Sequence, residues 1–285
     1  MSKVAIVTDS TAYIPKEVIG NNPISVLPLQ CIFGEEIFRD GVDITPNEFY
    51  TRLKTTKVLP TTSQVTPVQF QETYSCLLNE GYDILSIHIS SKLSGTIDSA
   101  IQARNLFPGA RIDIVDSLST SMGLGFMALT VARAAAQGAT LVECHSLAEQ
   151  AIQHTGVLFL VDTLEFLHRG GRIGGAAAFL GTMLNMKPIL ELRNGRIEAV
   201  ERVRTMAKAV DRIITLAEHR IGKRTPIRLA TLHANSLENA QLLLERARER
   251  FHISDVSETV LTEVSPTIGT HAGPGALGLC FMAGM

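Results

Sequence analysis

Short apolar runs recur along the chain, with amphipathic stretches between them. Lys3 to Thr8, Tyr82 to Ile89, Arg111 to Val115 and Val157 to Val161 read as short buried strands. Helical signals lie between them. Thr45-Pro46-Asn47-Glu48 and Thr66-Pro67-Val68-Gln69 are capping boxes with Pro at the first helical position, predicting helices over Pro46 to Lys54 and from Thr66 through Leu78. Helices are also predicted over Thr120 to Ala136 and Thr140 to His154, the second opened by the box Thr140-Leu141-Val142-Glu143. Strands alternating with helices predict a parallel sheet wound with helices. Ile24 to Phe33 alternates imperfectly around Pro28 and reads with Ile37-Phe38 as an irregular hairpin carrying an edge strand. Pro60 to Gln64 reads as a hydroxyl-rich loop.

The texture changes near Asp162. An apolar helix is expected over Ala176 to Leu184, and a hairpin over Lys187 to Leu192 and Arg196 to Val203, turned by Asn194-Gly195. A helix (Thr205 to Arg220), a strand (Ile227 to His233) and a helix (Ser236 to Phe251) follow, and Val256 to Leu261 and Leu277 to Met282 close the chain as strands. The fold class is therefore α/β in two domains. Residues 1–160 form a mostly parallel α/β/α unit with a hairpin insert near 24–40. Residues 161–285 form an α/β unit with a mixed or antiparallel sheet.

The 285 residues suffice for this, with 45% hydrophobic and 19% charged. A net charge of -2, no Trp and 5% aromatics speak against a nucleic-acid surface. Cys31, Cys76, Cys144 and Cys280 lie far apart, which suits reduced thiols and a cytoplasmic protein. No signal peptide is read at the N-terminus, and Met122 to Ala136 is too short to span a bilayer. A soluble protein is expected.

Candidate chemistry sits on loops. Ile87 to Ala100 runs from strand through a hydroxyl-rich turn into a helix, with Ser94, Gly95 and Thr96 at its start. Unpaired N–H groups and the helix dipole suit a carboxylate or phosphate there; a plain cap by Ser94 or Thr96 is the alternative. Asp9-Ser10-Thr11, at a strand end, is either a site element or a turn. Gly170-Gly171-Arg172 offers a backbone nest with a cation, or simply a helix end; Arg202-Val203-Arg204-Thr205 is a weaker version. His271 stands in a glycine-rich stretch whose Gly273, Gly275 and Gly278 form a G-x-G-x-x-G. Pro274 and the nearby end of the chain speak against a dinucleotide site. The glycines instead permit an unusual backbone path that fixes His271. No metal-ligand spacing and no P-loop occur. Two chemistries fit: Ser94 with His271 as nucleophile and base of a hydrolase or acyltransferase, or hydroxyls and His holding a carboxylate whose tail fills an apolar slot. The lack of G-x-S-x-G weakens the first.

Taken in order, Val7-Thr8-Asp9-Ser10-Thr11, Asp40-Gly41-Val42-Asp43-Ile44, Thr62-Ser63-Gln64, Ser91-Lys92-Leu93-Ser94-Gly95-Thr96 with Ser99-Ala100, Gly170-Gly171-Arg172-Ile173, Val203-Arg204-Thr205 and Gly269 to Gly275 resemble the DegV family, bacterial fatty-acid-binding proteins of the FakB type. The resemblance implies a DegV-like fold with a long-chain fatty acid such as palmitate buried between or within two domains, no cofactor and no catalysis by this chain. Thr62 and Ser94 fall on the family's carboxylate-holding positions, beside Ser63, Gly95 and Thr96, and His271 on its histidine. Arg172 and Arg204 fall on its acyl-phosphate or kinase-contact positions. The implied role is to present the carboxyl group to a separate ATP-dependent fatty acid kinase and carry the acyl-phosphate toward phospholipid synthesis, a role with room for transient membrane contact. Val65-Thr66, Ile97 and His168 depart from the family pattern without removing a hydrogen-bonding group.

Overall fold

The computed structural model describes residues 3–56, 58–181 and 186–285. The first half builds one sheet and a smaller one. Lys3–Asp9 is β1, Lys16–Ile19 a short α1, and Ile24–Leu27 β2. Gln30–Phe33 and Glu36–Arg39 (β3, β4) pair as a hairpin, and α2 covers Pro46–Leu53. Thr61–Ser63 is β5, Pro67–Asn79 α3, Tyr82–His88 β6, Thr96–Arg104 α4 and Ile112–Asp116 β7. A four-stranded parallel sheet runs β2-β1-β6-β7, and a three-stranded sheet runs β4-β3-β5.

Two helices follow, α5 over Ser121–Ala136 and α6 over Leu141–His154. The second sheet is built from β8 (Thr155–Leu160), β9 (Lys187–Arg193), β10 (Arg196–Val203), β11 (Ile227–His233), β12 (Val256–Glu263) and β13 (Leu277–Ala283). Short α7 (Glu165–Arg169), α8 (Met206–Ile221), α9 (Leu237–Arg250) and α10 (Pro266–Ala272) complete it. The order is β10-β9-β8-β13-β11-β12, and only β11 and β12 are parallel.

Local rules explain most of these elements. Thr45 with Glu48, Thr66 with Gln69 and Thr140 with Glu143 each form the full reciprocal capping box, satisfying otherwise unpaired N–H groups. Asn194 and Gly195 both have positive φ, 51° and 79°, as a tight hairpin turn requires.

Four sequence-based expectations are corrected. The strand at Val157 to Val161 leaves the parallel sheet and pairs antiparallel with β13 and β9. The second sheet thus starts inside the stretch assigned to the first domain. The fourth parallel strand is instead β2. Pro28 lacks an N–H and breaks Ile24 to Phe33 into β2, on the main sheet, and β3, in the hairpin. The loop at Pro60 to Gln64 contains β5, registered with Gln30 to Ile32 of β3. The helix expected over Ala176 to Leu184 is a 3-10 turn at Gly174–Phe179. Gly174 there has φ 50° and packs on the backbone of Ile197. Residues 182–184 lie outside the described residues.

α5 organises the core. Apolar nearly all round, it is a buried helix by composition. It packs on β1 of the first sheet and on β13 and β8 of the second, so one continuous apolar cluster spans both sheets. Two glycines permit this close approach. A Cβ at Gly123 would lie 2.7 Å from Val157 Cγ2 on β8. A Cβ at Gly125, toward the other side, would lie 3.1 Å from the Ala12 carbonyl oxygen. Among the described residues no helix is long and apolar enough to cross a membrane.

Candidate functional site

Between the sheets lies a cavity of about 930 Å³ between protein atoms, its mouth included. Its walls are largely apolar, with Ile89, Leu93, Val157, Phe159, Leu192 and Leu232 contributing from both halves.

Its polar groups arrive from separate elements. β3 holds β5 by main-chain pairing and so fixes Thr62, aligned with Cys31. α10 brings His271. Ser265 caps that helix through Ile268 N (3.3 Å), Pro266 is its first residue, and Gly273, at φ 75°, ends it. The Thr62 hydroxyl meets His271 Nε2 at 2.9 Å. Nδ1 of the same ring is buried without a hydrogen-bond partner. Burial pushes the imidazole down to about 4, helped by the adjacent Arg172 cation, so the ring is neutral near pH 7. Gly170 backs the ring closely, and a Cβ there would overlap Nδ1.

Ser94 lines the cavity just before α4, and its hydroxyl pairs with that of Thr96 at 2.9 Å. Gly95 is the N-cap. A Cβ on Gly95 would come within 2.8 Å of Gln64 Nε2, so glycine there lets Gln64 pack along the wall. Arg172 Nε donates to the Leu93 carbonyl (3.0 Å) and Nη1 to the Gly170 carbonyl (2.6 Å). The guanidinium is thereby tied to both the Ser94 loop and the Gly170 turn.

Of the sequence candidates, the structure brings Thr62, Ser63, Ser94, Arg172 and His271 to one cavity. Gly95 and Thr96 stand behind Ser94, Thr96 fully buried. Arg204 is exposed just after β10 and does not line the cavity. The nest reading of Gly170-Gly171-Arg172 is corrected: these three N–H groups donate to Phe166, His168 and Leu167 carbonyls, as at a helix end. Thr62, Arg172 and His271 also line an outer hollow with Arg169, so they stand between the apolar interior and the surface. Sequence reasoning missed Gln64, Thr120, Ser121 and Thr267 as lining residues. The Thr120 hydroxyl is buried without a partner. The helix start at Thr120 was legible; its aim into a cavity was not.

The structure gives Ser94 and His271 different hydrogen-bond partners, and among the described residues no acid orients His271 Nδ1. Asp9 belongs to a buried chain instead. Tyr74 Oη donates to Ser86 Oγ (2.7 Å), Ser86 Oγ lies 2.6 Å from His88 Nε2, and His88 Nδ1 lies 3.0 Å from Asp9 Oδ2. All four residues are fully buried, so this Ser–His–Asp alignment reaches no substrate. Asp9 also accepts from Ile89 N at 2.9 Å, steadying the start of the loop that carries Ser94. Ser10 donates to the buried Asp40 (3.0 Å). Burial raises the Asp40 carboxyl to about 6 against the opposing effect of Thr267, Ser10 and Ser265. The Ser10 hydroxyl thus ties the end of β1 to Asp40, just past β4.

Fold and cavity define an α/β protein enclosing an apolar slot closed by hydroxyls, a neutral imidazole and one cation. Residues 3–284 match the family described as uncharacterised proteins of the DegV family, and the chain belongs to that family. A DegV domain-containing protein of Streptomyces coelicolor is 39% identical over 277 residues, 97% of each chain. A solved DegV family protein from Thermus thermophilus, described as fatty-acid-binding, superposes with a TM-score of 0.94 at 37% identity over 99% of each chain. DegV of Bacillus subtilis, described as a fatty acid binding protein, superposes with a TM-score of 0.89 at 36% identity over 99% of this chain and 100% of that one.

Proposed function

We propose that this chain binds a long-chain fatty acid, its tail in the apolar cavity and its carboxylate among Thr62, Ser63, Ser94, Arg172 and His271. The observation that carries the reading is the position of Thr62, Arg172 and His271 between the apolar cavity and the outer hollow. A carboxylate held there would find hydroxyl donors and a guanidinium while its chain leaves water. Neutral His271 can give it an N–H without adding a buried charge. Burying about fourteen CH₂ groups at about 0.8 kcal/mol each gives about 11 kcal/mol before ordering costs.

The further role is that of a carrier. The carboxyl group, nearest the surface, is presented to a separate ATP-dependent fatty acid kinase, and the acyl-phosphate is carried on toward phospholipid synthesis in the cytoplasm. Exposed Arg204 is the proposed kinase contact, and Arg172 the group that meets the new phosphate. Support for this part is the resemblance to the family and the access offered by the outer hollow.

The test is denaturing mass spectrometry of the protein purified from a bacterial host, with organic extraction. The expected result is one free fatty acid per chain and a protein of unmodified mass. A covalent acyl adduct would favour the hydrolase reading through Ser94. Absence of lipid, together with failure to take up palmitate, would reject the binding reading.

A further inference from the structure

A second cleft opens between the two halves, with Tyr13, Pro15 and Glu17 on one side of it. It sits where the parallel pair β11 and β12 ends and α9 begins, the place where α/β sheets commonly receive ligands. Its space is about 1500 Å³, the solvent at its open side included. Among the described residues its walls carry Glu17, Glu238 and Glu263 and no Lys or Arg. None of the three carboxylates pairs with a cation among the described residues. Glu263 is half-buried, and burial raises its carboxyl above the usual range, as expected for a charge without compensation.

His233 supplies an independent sign. It is cross-strand partner to Glu263 and only 3% exposed, yet its Nδ1 is buried with no hydrogen-bond partner. Burial lowers its pKa, so the ring is neutral and carries an acceptor nitrogen. Tyr13 and Asn235, also in the wall, hold left-handed backbone at φ 38° and 56°. Among the described residues no group of three or more His, Cys, Asp or Glu side chains is arranged to hold a metal ion.

We propose that this cleft is a second binding site, for a small organic ammonium compound, with the ammonium group between Glu263 and His233 Nδ1. An ammonium group has three N–H donors and no acceptor, which matches a wall of carboxylates and an imidazole lone pair. Glu238 covers the positive end of α9, and the cleft has room for a second amine near Glu17.

Putrescine is the probe. Titrated calorimetrically into the intact, lipid-loaded protein, it should bind saturably at one site. Glu263→Gln should weaken binding roughly ten- to a hundredfold, leaving the lipid content of the preparation unchanged. Glu72→Gln, an exposed change elsewhere, should leave the affinity unaltered. No saturable putrescine binding at millimolar concentration overturns the site. So does equal weakening by Glu263→Gln and Glu72→Gln, which would mean diffuse attraction to an acidic surface.

Discussion

Asp40 and His271 should give lipid-free protein opposite pH dependences that largely cancel. The Asp40 carboxyl is raised from 3.8 to about 6, so between these values the folded state holds a proton that the unfolded state has lost. Stability from this group is present at low pH and falls as pH rises. His271 is lowered from 6.5 to about 4, so in the overlapping window the unfolded state holds the extra proton. Its stability contribution rises with pH and is lost as pH falls. Each slope is about 1.4 kcal/mol per pH unit. From about pH 4.5 to about pH 6 each group therefore moves stability by about 2 kcal/mol, in opposite senses. Asp40→Asn keeps a polar group beside Ser10 but removes the falling slope, so its stability should rise with pH relative to the parent. His271→Asn should show the reverse. Urea unfolding followed by circular dichroism, at several pH values across the window, measures the difference between parent and variant, in which other titrating groups cancel. The same pH slope in parent and both variants would refute the assignment of these shifts to burial.

Other expectations follow from the same geometry. Thr62→Ala with Ser94→Ala should raise the fatty acid dissociation constant by about tenfold to a hundredfold with circular dichroism unchanged; unaltered affinity would remove the head-group assignment. Gly170→Ala places a methyl against His271 Nδ1 and should displace the ring from Thr62, weakening fatty acid binding more than it lowers the melting temperature. Arg204→Ala should leave fatty acid binding intact and slow phosphorylation by the kinase, so normal turnover would reject its contact role. Thr66→Ala removes one capping box and should cost about 1 kcal/mol in chemical unfolding.

What the sequence made legible was local. The capping boxes at Thr45, Thr66 and Thr140, the Asn194-Gly195 turn and the terminal strand runs each depend on neighbours within a few positions. Sheet membership was not legible in this way. Val157 to Leu160 is a buried run that either sheet could have taken, and only its pairing with Leu277 to Cys280 decides. α10 starts at an ordinary Ser265-Pro266 cap but runs only seven residues, too few for a helical period to stand out beside the glycine-rich stretch. The candidate site residues came partly from hydroxyl-rich turns and partly from resemblance. The Thr62–His271 contact joins positions 209 apart, and no periodicity reports such a contact. Nor could spacing show that Gly170 is small because an imidazole lies against it.

The glycines at 123 and 125 on α5 bear on how such a chain can change over generations. Because the two sheets lean on one helix from opposite sides, a gene split or recombined between its halves would hand each fragment an interface fitted to an absent neighbour. A bulkier residue at 123 demands a matching loss at Val157, and one at 125 a shift near Ala12. A half transplanted alone should therefore fit poorly, whereas the two halves moved together keep both faces of α5 matched.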